Sequence, residues 1–309
     1  VLVALSISES QMKLIALKID VDNLAAIELG VPRLQQILLE RQCGASFFWS
    51  LGREKNGICM LPARGLRRFS GAGQLALRAR FGAKALCRGS LWPAASLSKL
   101  ALLALKDLPQ FEHGLRPAQN YQWQQRIVTL PADETSCLIS EDLAQFTRLT
   151  GSVPVAFSAK SWQANRAVYR SEQLSGWSFA SDTRGISPFW PVVNAEVSRC
   201  MQLPVTLPML EEILPYSGLD RVDAILAKTL NEMPFGHVYN AAADFEGVQA
   251  SDDFARLLDG WLAQGYQIVA LGELYRHIDA TAIAYHEVEY QPHEGRVGLL
   301  ATQGRRFPN

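Results

Sequence analysis

Histidine, cysteine and long apolar runs are what this chain has least of, and each shortage removes a class of function. Five histidines are scattered through 309 residues, none three or four residues from another, so no helix offers the paired imidazoles of a helical zinc motif. The five cysteines, Cys43, Cys59, Cys87, Cys137 and Cys200, form no Cys-x-x-Cys and are odd in number. That pattern argues against a disulfide framework or a zinc knuckle and for reduced thiols in a cytoplasmic protein. No run of 18 apolar residues is long enough to span a bilayer, and no basic residue precedes the mildly apolar opening from Val1 to Gln11. Residues 1–12 therefore read as an N-terminal extension, with Met12 directly ahead of the first strand-like run.

What is present is an ordered, somewhat apolar composition, 48% hydrophobic and 19% charged. A chain of this length buries roughly 75% of its unfolded surface, and with no internal repeat or long linker it reads as one domain over residues 13–303. The zero net charge conceals an uneven distribution. Between Arg53 and Lys106, eleven Lys and Arg residues face Glu54 alone, so this stretch reads as a basic helical insert at about 53–106. Within it Arg64, Arg67, Arg68, Arg78, Arg80, Lys84 and Arg88 alternate with Phe69, Phe81 and leucines. Basic residues with apolar anchors suit an anionic membrane surface or a phosphorylated lipid. Aromatic platforms are few and no recognition motif occurs, which excludes nucleic acid as the expected partner.

Apolar runs and helical periodicity alternate along the chain. Strands are expected at Leu14 to Ile19, Ala45 to Ser50, Val153 to Phe157, Trp177 to Ala180, Met201 to Thr206, His237 to Ala241 and Gln267 to Ala270. Helices are expected at Glu28 to Arg41, Leu97 to Leu108, Glu134 to Thr150, Trp162 to Glu172, Val222 to Leu230 and Asp252 to Gln264. Such alternation predicts an α/β layer system built on parallel strands, open or closed into a barrel.

The most informative run is Lys18-Ile19-Asp20-Val21-Asp22. Two carboxylates where an apolar strand ends are costly to keep charged unless a ligand or a polar network needs them. Further stretches follow in a characteristic order: Gly30-Val31-Pro32-Arg33, Ala45-Ser46-Phe47-Phe48, Gly89-Ser90-Leu91-Trp92-Pro93, Glu112-His113-Gly114-Leu115, Ser181-Asp182-Thr183-Arg184-Gly185, Leu203-Pro204-Val205-Thr206-Leu207-Pro208 and Gly272-Glu273-Leu274. From about Lys13 to Gln303 the chain resembles the NodB-homology polysaccharide deacetylases, most closely the ArnD-type deformylases.

The resemblance implies a distorted (β/α)7 TIM-like barrel, cytoplasmic and peripheral to the inner membrane. It also implies amide or formamide hydrolysis assisted by zinc, cobalt, nickel or manganese, on a sugar linked to a polyprenyl phosphate. Asp20 takes the position of the family's base, and Asp22 that of its metal-binding carboxylate. The family's His-x3-His pair is replaced by Arg116 and Asn120, with Gln119 and Tyr121 beside the latter. Its Gly-Trp-Arg becomes Ser161-Trp162-Gln163, so the arginine that orients the base is an amide. Its acid histidine falls on Ala242, in Ala242-Ala243-Asp244-Phe245-Glu246-Gly247.

Arginine cannot coordinate a cation, and asparagine is a weak ligand. The expectation is a catalytically impaired or inactive homologue that needs no cofactor and has an Arg116 contact to Asp20 or Asp22. Arg184, Asp182, Trp162, Lys160, Asp244 and Glu246 are the expected ligand-binding residues. The expected partner is the membrane, the lipid-linked sugar or an active homologue, and the alternative is an active carbohydrate amidohydrolase with an altered site. A metal site of Asp20, Asp22, Asp244 and Glu246 would be an unconventional one. His113 is expected to pack beneath the site, His286 and His293 to lie in a solvated turn, and Trp123 and Trp190 to be core or sugar-facing.

Overall fold

Every residue of β1, Leu14–Val21, is buried, which requires neighbours on both edges and cover on both faces. The computed structural model describes residues 13–52, 97–118, 123, 126–213, 220–293, 296 and 299–308. The expectations for the basic insert (Arg64, Arg67, Arg68, Phe69, Arg78, Arg80, Phe81, Lys84 and Arg88), for Asn120 and for residues 1–12 lie outside the described residues.

After β1 a π-turn at Ala26–Gly30 leads into α1, Val31–Glu40, with Pro32 in the first turn, where no intrahelical N–H is lost. β2, Ser46–Ser50, is followed by α2, Leu97–Lys106, and β3, Glu112–Arg116. α3 spans Ala132–Thr150 and ends on Gly151 in the left-handed conformation. α4 covers Arg166–Leu174 and starts later than the expected Trp162, because Asn165 accepts from the amides of Ala167 and Val168 and so caps the helix there.

Short strands follow at β4, Phe179–Ala180; β5, Trp190–Val193; β6, Glu196–Val197; and β7, Met201–Gln202. Next come α5, Arg221–Lys228, and β8, His237–Ala242, followed by the single turn α6, Ala243–Glu246. The order ends with α7, Ser251–Ala263; β9, Gln267–Val269; α8, Leu271–Arg276; β10, Tyr285–Pro292; and β11, Leu299–Phe307.

β1 pairs in parallel with β8 on one edge and, on the other, with β9 along Leu14–Ala16 and with β2 along Lys18–Val21; β2 in turn pairs in parallel with β3. The sheet then closes on itself. Leu115 of β3 bridges Phe157, Phe157 bridges Ala180 of β4, and β4 pairs with β7. The chain leaving β7 reaches β8 through Thr206 N donating to Val238 O. The result is the distorted (β/α) barrel that the resemblance implies. Between Val153 and Phe157 the expected strand is reduced to the bridges at Phe157.

Of the two histidines expected in a turn, His286 lies within β10, whereas His293 opens the turn that follows it, with Arg296 N donating to His293 O. β10 and β11 make an antiparallel hairpin in a sheet ordered β11-β10-β5-β6, and the backbone of Arg184 exchanges hydrogen bonds with Ala301 and Gln303 of β11. β11 thus runs past Gln303 to Phe307.

Gly30 fixes how the chain leaves β1. A Cβ there would stand 1.9 Å from the carbonyl oxygen of Ala243, and one on Gly247 would stand 2.5 Å from Gly30 Cα. The turn after Asp22 and the turn after β8 are therefore packed backbone to backbone. Gly30→Ala is expected to destabilise the protein by about 1–3 kcal/mol through overpacking, measured by urea denaturation; an unchanged midpoint would contradict this close approach.

Candidate functional site

Parallel register brings the chemistry to one end of the barrel. Asp20 lies opposite Phe48 of β2 and Ala242 of β8, and Ser50 opposite Arg116 of β3. These are carboxyl ends of parallel strands, where barrel sites form. Arg116 Nη1 donates to Asp20 Oδ1 at 2.6 Å and to Ser158 Oγ at 2.9 Å. Its Nε donates to Asp22 Oδ1 at 3.0 Å and its Nη2 to Asp22 Oδ2 at 3.4 Å. One guanidinium thus grips Asp22 as a fork and reaches Asp20 with the same plane. The contact expected from the sequence is made to both acids.

A second cation closes the group. Lys160 Nζ stands 2.8 Å from Asp22 Oδ1, and Ser50 Oγ donates to the same oxygen at 2.8 Å. Burial alone would raise the Asp22 pKa, but Arg116 and Lys160 overrule it and hold the carboxyl well below the usual carboxylate range. Burial opposes the Arg116 charge as well; Asp20 and Asp22 outweigh it, so the guanidinium stays charged. Lys160 is pushed down to about 8 by burial, with Asp22 opposing the shift.

Sequence reasoning missed Lys18 and Asn240. Lys18 is buried within β1, where Nζ donates to Ser181 O at 2.7 Å and lies 5.8 Å from the Phe48 ring centroid; burial pushes it down to about 8. Asn240 Nδ2 donates to Asp20 Oδ2 at 3.0 Å, so Arg116 and Asn240 hold the two oxygens of the base position. The available signal was a polar residue inside an otherwise apolar strand.

The family's divalent ion does not fit these residues. Among the described residues no group of three His, Cys, Asp or Glu side chains converges to hold a metal. An ion shared by Asp20 and Asp22 would have to displace Arg116, and it would then face Lys160 at close range. Both carboxylates already have a cation for each charge.

The expected ligand-binding residues separate into three sets. Trp162 is buried, with the guanidinium carbons of Arg184 and Arg296 each 4.9 Å from its ring centroid. Glu212 pairs with both arginines, and Glu211 with Arg296. The cations take up the approach to the indole that a stacked sugar would need. Asp182 is fully buried and accepts from Ala159 N and from Gln202 Nε2. Asp244 accepts from Asn23 Nδ2, while the two oxygens of Glu246 accept from Tyr239 Oη and Ala242 N. Glu246 thereby fastens the turn after β8.

At two positions where the resemblance implies altered motif residues, Ala242 presents a methyl group beside Asp20, and Gln163 Oε1 meets no hydrogen-bond donor among the described residues. His113 packs as expected, between Trp49 Nε1 and Leu108 O. His286 sits in β10 against Gly304 O, and His293 lies 3.3 Å from Arg184 Nη2. Trp123 is a core residue donating to Gln163 O, whereas Trp190 is only partly buried and donates to Ala280 O.

Two outcomes follow from the ion network. Arg116→Ala leaves two carboxylates buried beside a single lysine and is expected to cost about 3–5 kcal/mol, read from denaturation at neutral pH; a loss below 1 kcal/mol, on the order of an exposed pair, would contradict the network. Because the folded Asp22 pKa lies below the unfolded value of about 3.9, its stabilisation is present above that pH and is lost as pH falls through the folded pKa. Asp22→Asn is therefore expected to flatten the acid limb of stability against pH below about 4.

No family model matches the sequence. The chain is 27% identical over 280 residues to a probable 4-deoxy-4-formamido-L-arabinose-phosphoundecaprenol deformylase, ArnD, of Shewanella sediminis, covering 88% of this chain and 89% of that protein. It is 22% identical over 282 residues to the corresponding protein of Wigglesworthia glossinidia brevipalpis, covering 89% and 97%. The fold is similar to that of a polysaccharide deacetylase-type protein from Mycobacterium smegmatis, with a TM-score of 0.60 at 12% identity over 93% of this chain and 96% of that one. The chain is thus similar along almost its whole length to the ArnD deformylases, at 22–27% identity, and its fold is similar to that of a polysaccharide deacetylase-type protein.

Proposed function

We propose that this protein binds a sugar carried on a polyprenyl phosphate, at the cytoplasmic surface of the inner membrane, without the metal-assisted hydrolysis of its family. The observation that carries the reading is the Arg116 guanidinium, hydrogen-bonded to both Asp20 and Asp22. Amide cleavage needs the carbonyl polarised and the departing amine protonated. Here the acidic pair is neutralised internally, and the position of the family's proton donor is the methyl group of Ala242. The ligand class is supported by the ArnD relatives, whose names specify a phosphoundecaprenol-linked sugar. Membrane association is supported by the basic, apolar-anchored stretch from Arg64 to Arg88.

A metal-independent amidohydrolase is the second reading. Its support is Lys160, whose ammonium is brought by burial to about 8, a range suited to general acid catalysis. Against it stands the engagement of Lys160 by Asp22.

Metal analysis of the purified protein, combined with deformylase and deacetylase assays, is expected to find no stoichiometric divalent metal and no turnover. Metal-dependent turnover abolished by Asp20→Ala would reject the binding reading, and metal-free turnover abolished by Lys160→Met would establish the second. Vesicles containing undecaprenyl phosphate or other anionic lipid are expected to retain the protein, and a variant with Arg64, Arg67 and Arg68 replaced by glutamine is expected to lose that retention. Equal retention of both forms would count against membrane docking through the insert.

A further inference from the structure

Behind the turn that carries Lys160 and Trp162 lies a second acidic pair that the proposed ligand site does not use. Glu172, on the inner face of α4, and Asp182, just past β4, are both fully buried. Gln202 Nε2 donates to Glu172 Oε2 at 3.2 Å and to Asp182 Oδ2 at 3.1 Å, and its Oε1 accepts from Asp182 N at 2.9 Å. Glu172 Oε1 receives no donor from the described residues, although the side chain is within hydrogen-bonding reach of Asp182. A buried carboxylate oxygen without a donor is costly, and so are two adjacent carboxylates; a proton on one of them removes both penalties. We propose that Glu172 and Asp182 share one proton, that this proton holds Asp182 in place as the anchor of the Lys160–Trp162 turn, and that its loss loosens the turn.

The surroundings decide which acid keeps the proton. Asp182 faces the charges of Lys18 and Arg116 and accepts from Ala159 N. Around Glu172 the titratable neighbours are Asp182, Tyr169 and Cys200, with Tyr290 beyond Tyr169. None of these offers a positive charge. Burial followed by Asp182 pushes the Glu172 carboxyl well above its ordinary value, and burial holds the Tyr169 phenol and the Cys200 thiol neutral. With Glu172 neutral, Lys18, Arg116 and Lys160 balance Asp20, Asp22 and Asp182.

The anchored turn is strained and has need of its anchor. Ser161 and Trp162 adopt φ of 52° and 53° in succession, a left-handed conformation that costs non-glycine residues free energy and is kept only where surrounding contacts impose it. Asp182 supplies one such contact through Ala159 N, immediately before Lys160 reaches Asp22. The pair therefore acts on the same site from behind, whether or not the ligand reading above is right.

A carboxyl whose folded pKa is raised contributes stability that is full below the unfolded value of about 4.3 and is lost as pH rises through the folded pKa. Asp142, which burial pushes up to about 7, has the same sign, so the test is made in an Asp142→Asn background. Denaturation between about pH 5 and 7, below the pKa of about 8 of Lys18 and Lys160, is expected to show the unfolding constant rising by up to about tenfold per pH unit, and Glu172→Gln is expected to abolish that rise.

Difference infrared spectroscopy at pH 7 in the same background is expected to show a protonated carboxyl band that Glu172→Gln removes. Hydrogen exchange of the peptide containing Ala159 is expected to accelerate as pH rises beyond the intrinsic pH dependence of exchange, and Glu172→Gln is expected to suppress that excess. A band that survives the substitution, its absence at pH 7, or an excess of exchange identical in the two forms would overturn the proposal. Sugar or vesicle binding enters none of these readouts, so failure here leaves the ligand reading standing, and the converse also holds.

Discussion

One guanidinium sets the character of this barrel. Arg116 ends β3 at the level of Ser50 and faces the two acids that end β1, and its planar donor fork reaches both. Buried carboxylates next to each other repel and lose solvation, so the strand end needs positive charge from some source. In the deacetylases that this chain resembles, the resemblance assigns the charge to a divalent ion. Here the charge is covalently part of the chain and points where an ion would be held. Ser158, Asn240 and Lys160 then take up the remaining hydrogen-bonding and charge requirements of the group.

The rest of the site is arranged so that opposite charges balance in small closed sets. Lys18, Arg116 and Lys160 answer Asp20, Asp22 and Asp182; Arg184 and Arg296 answer Glu211 and Glu212 around Trp162. Among the described residues none gives Glu172 a positive partner, which is why the proposal reconciles its burial with a proton. Such sets are costly to assemble in an interior and costly to break singly. They tie the barrel strands to the hairpin, because His293, at the end of β10, and Arg296, between the two hairpin strands, reach the same Arg184 and Glu212 that the barrel presents.

Much of the fold was legible in the order of apolar runs. β1, β2 and β8 are fully buried strands, and such strands read as continuous hydrophobic stretches. β3 is absent from the strands expected of the sequence, because Glu112, His113 and Gly114 are polar or flexible. In the structure Glu112 accepts from Ser46 Oγ and Gly272 N, and the space of a Cβ at Gly114 is taken by the Phe48 ring. The hairpin of β10 and β11 escaped for the opposite reason: one face is partly exposed, so acids and histidines interrupt any apolar signal.

The contact of Arg116 with Asp20 and Asp22 was legible in the sequence because the order of motifs along the chain carries the resemblance at low overall similarity. Residue type alone says that an arginine cannot coordinate a cation and that an alanine has no proton to give. Sequence alone could not reveal that Lys18 is buried with its pKa lowered to about 8, that Asn240 holds the second oxygen of Asp20, or that Glu172 meets Asp182. The partners of Lys18 and Asp20 lie 163 and 220 residues away and meet them only because the fold brings distant strands together. Residue type is a local property, whereas burial and pairing depend on which strand ends the fold brings together, and these decide whether a charge at this site is tolerated, compensated or removed by a proton.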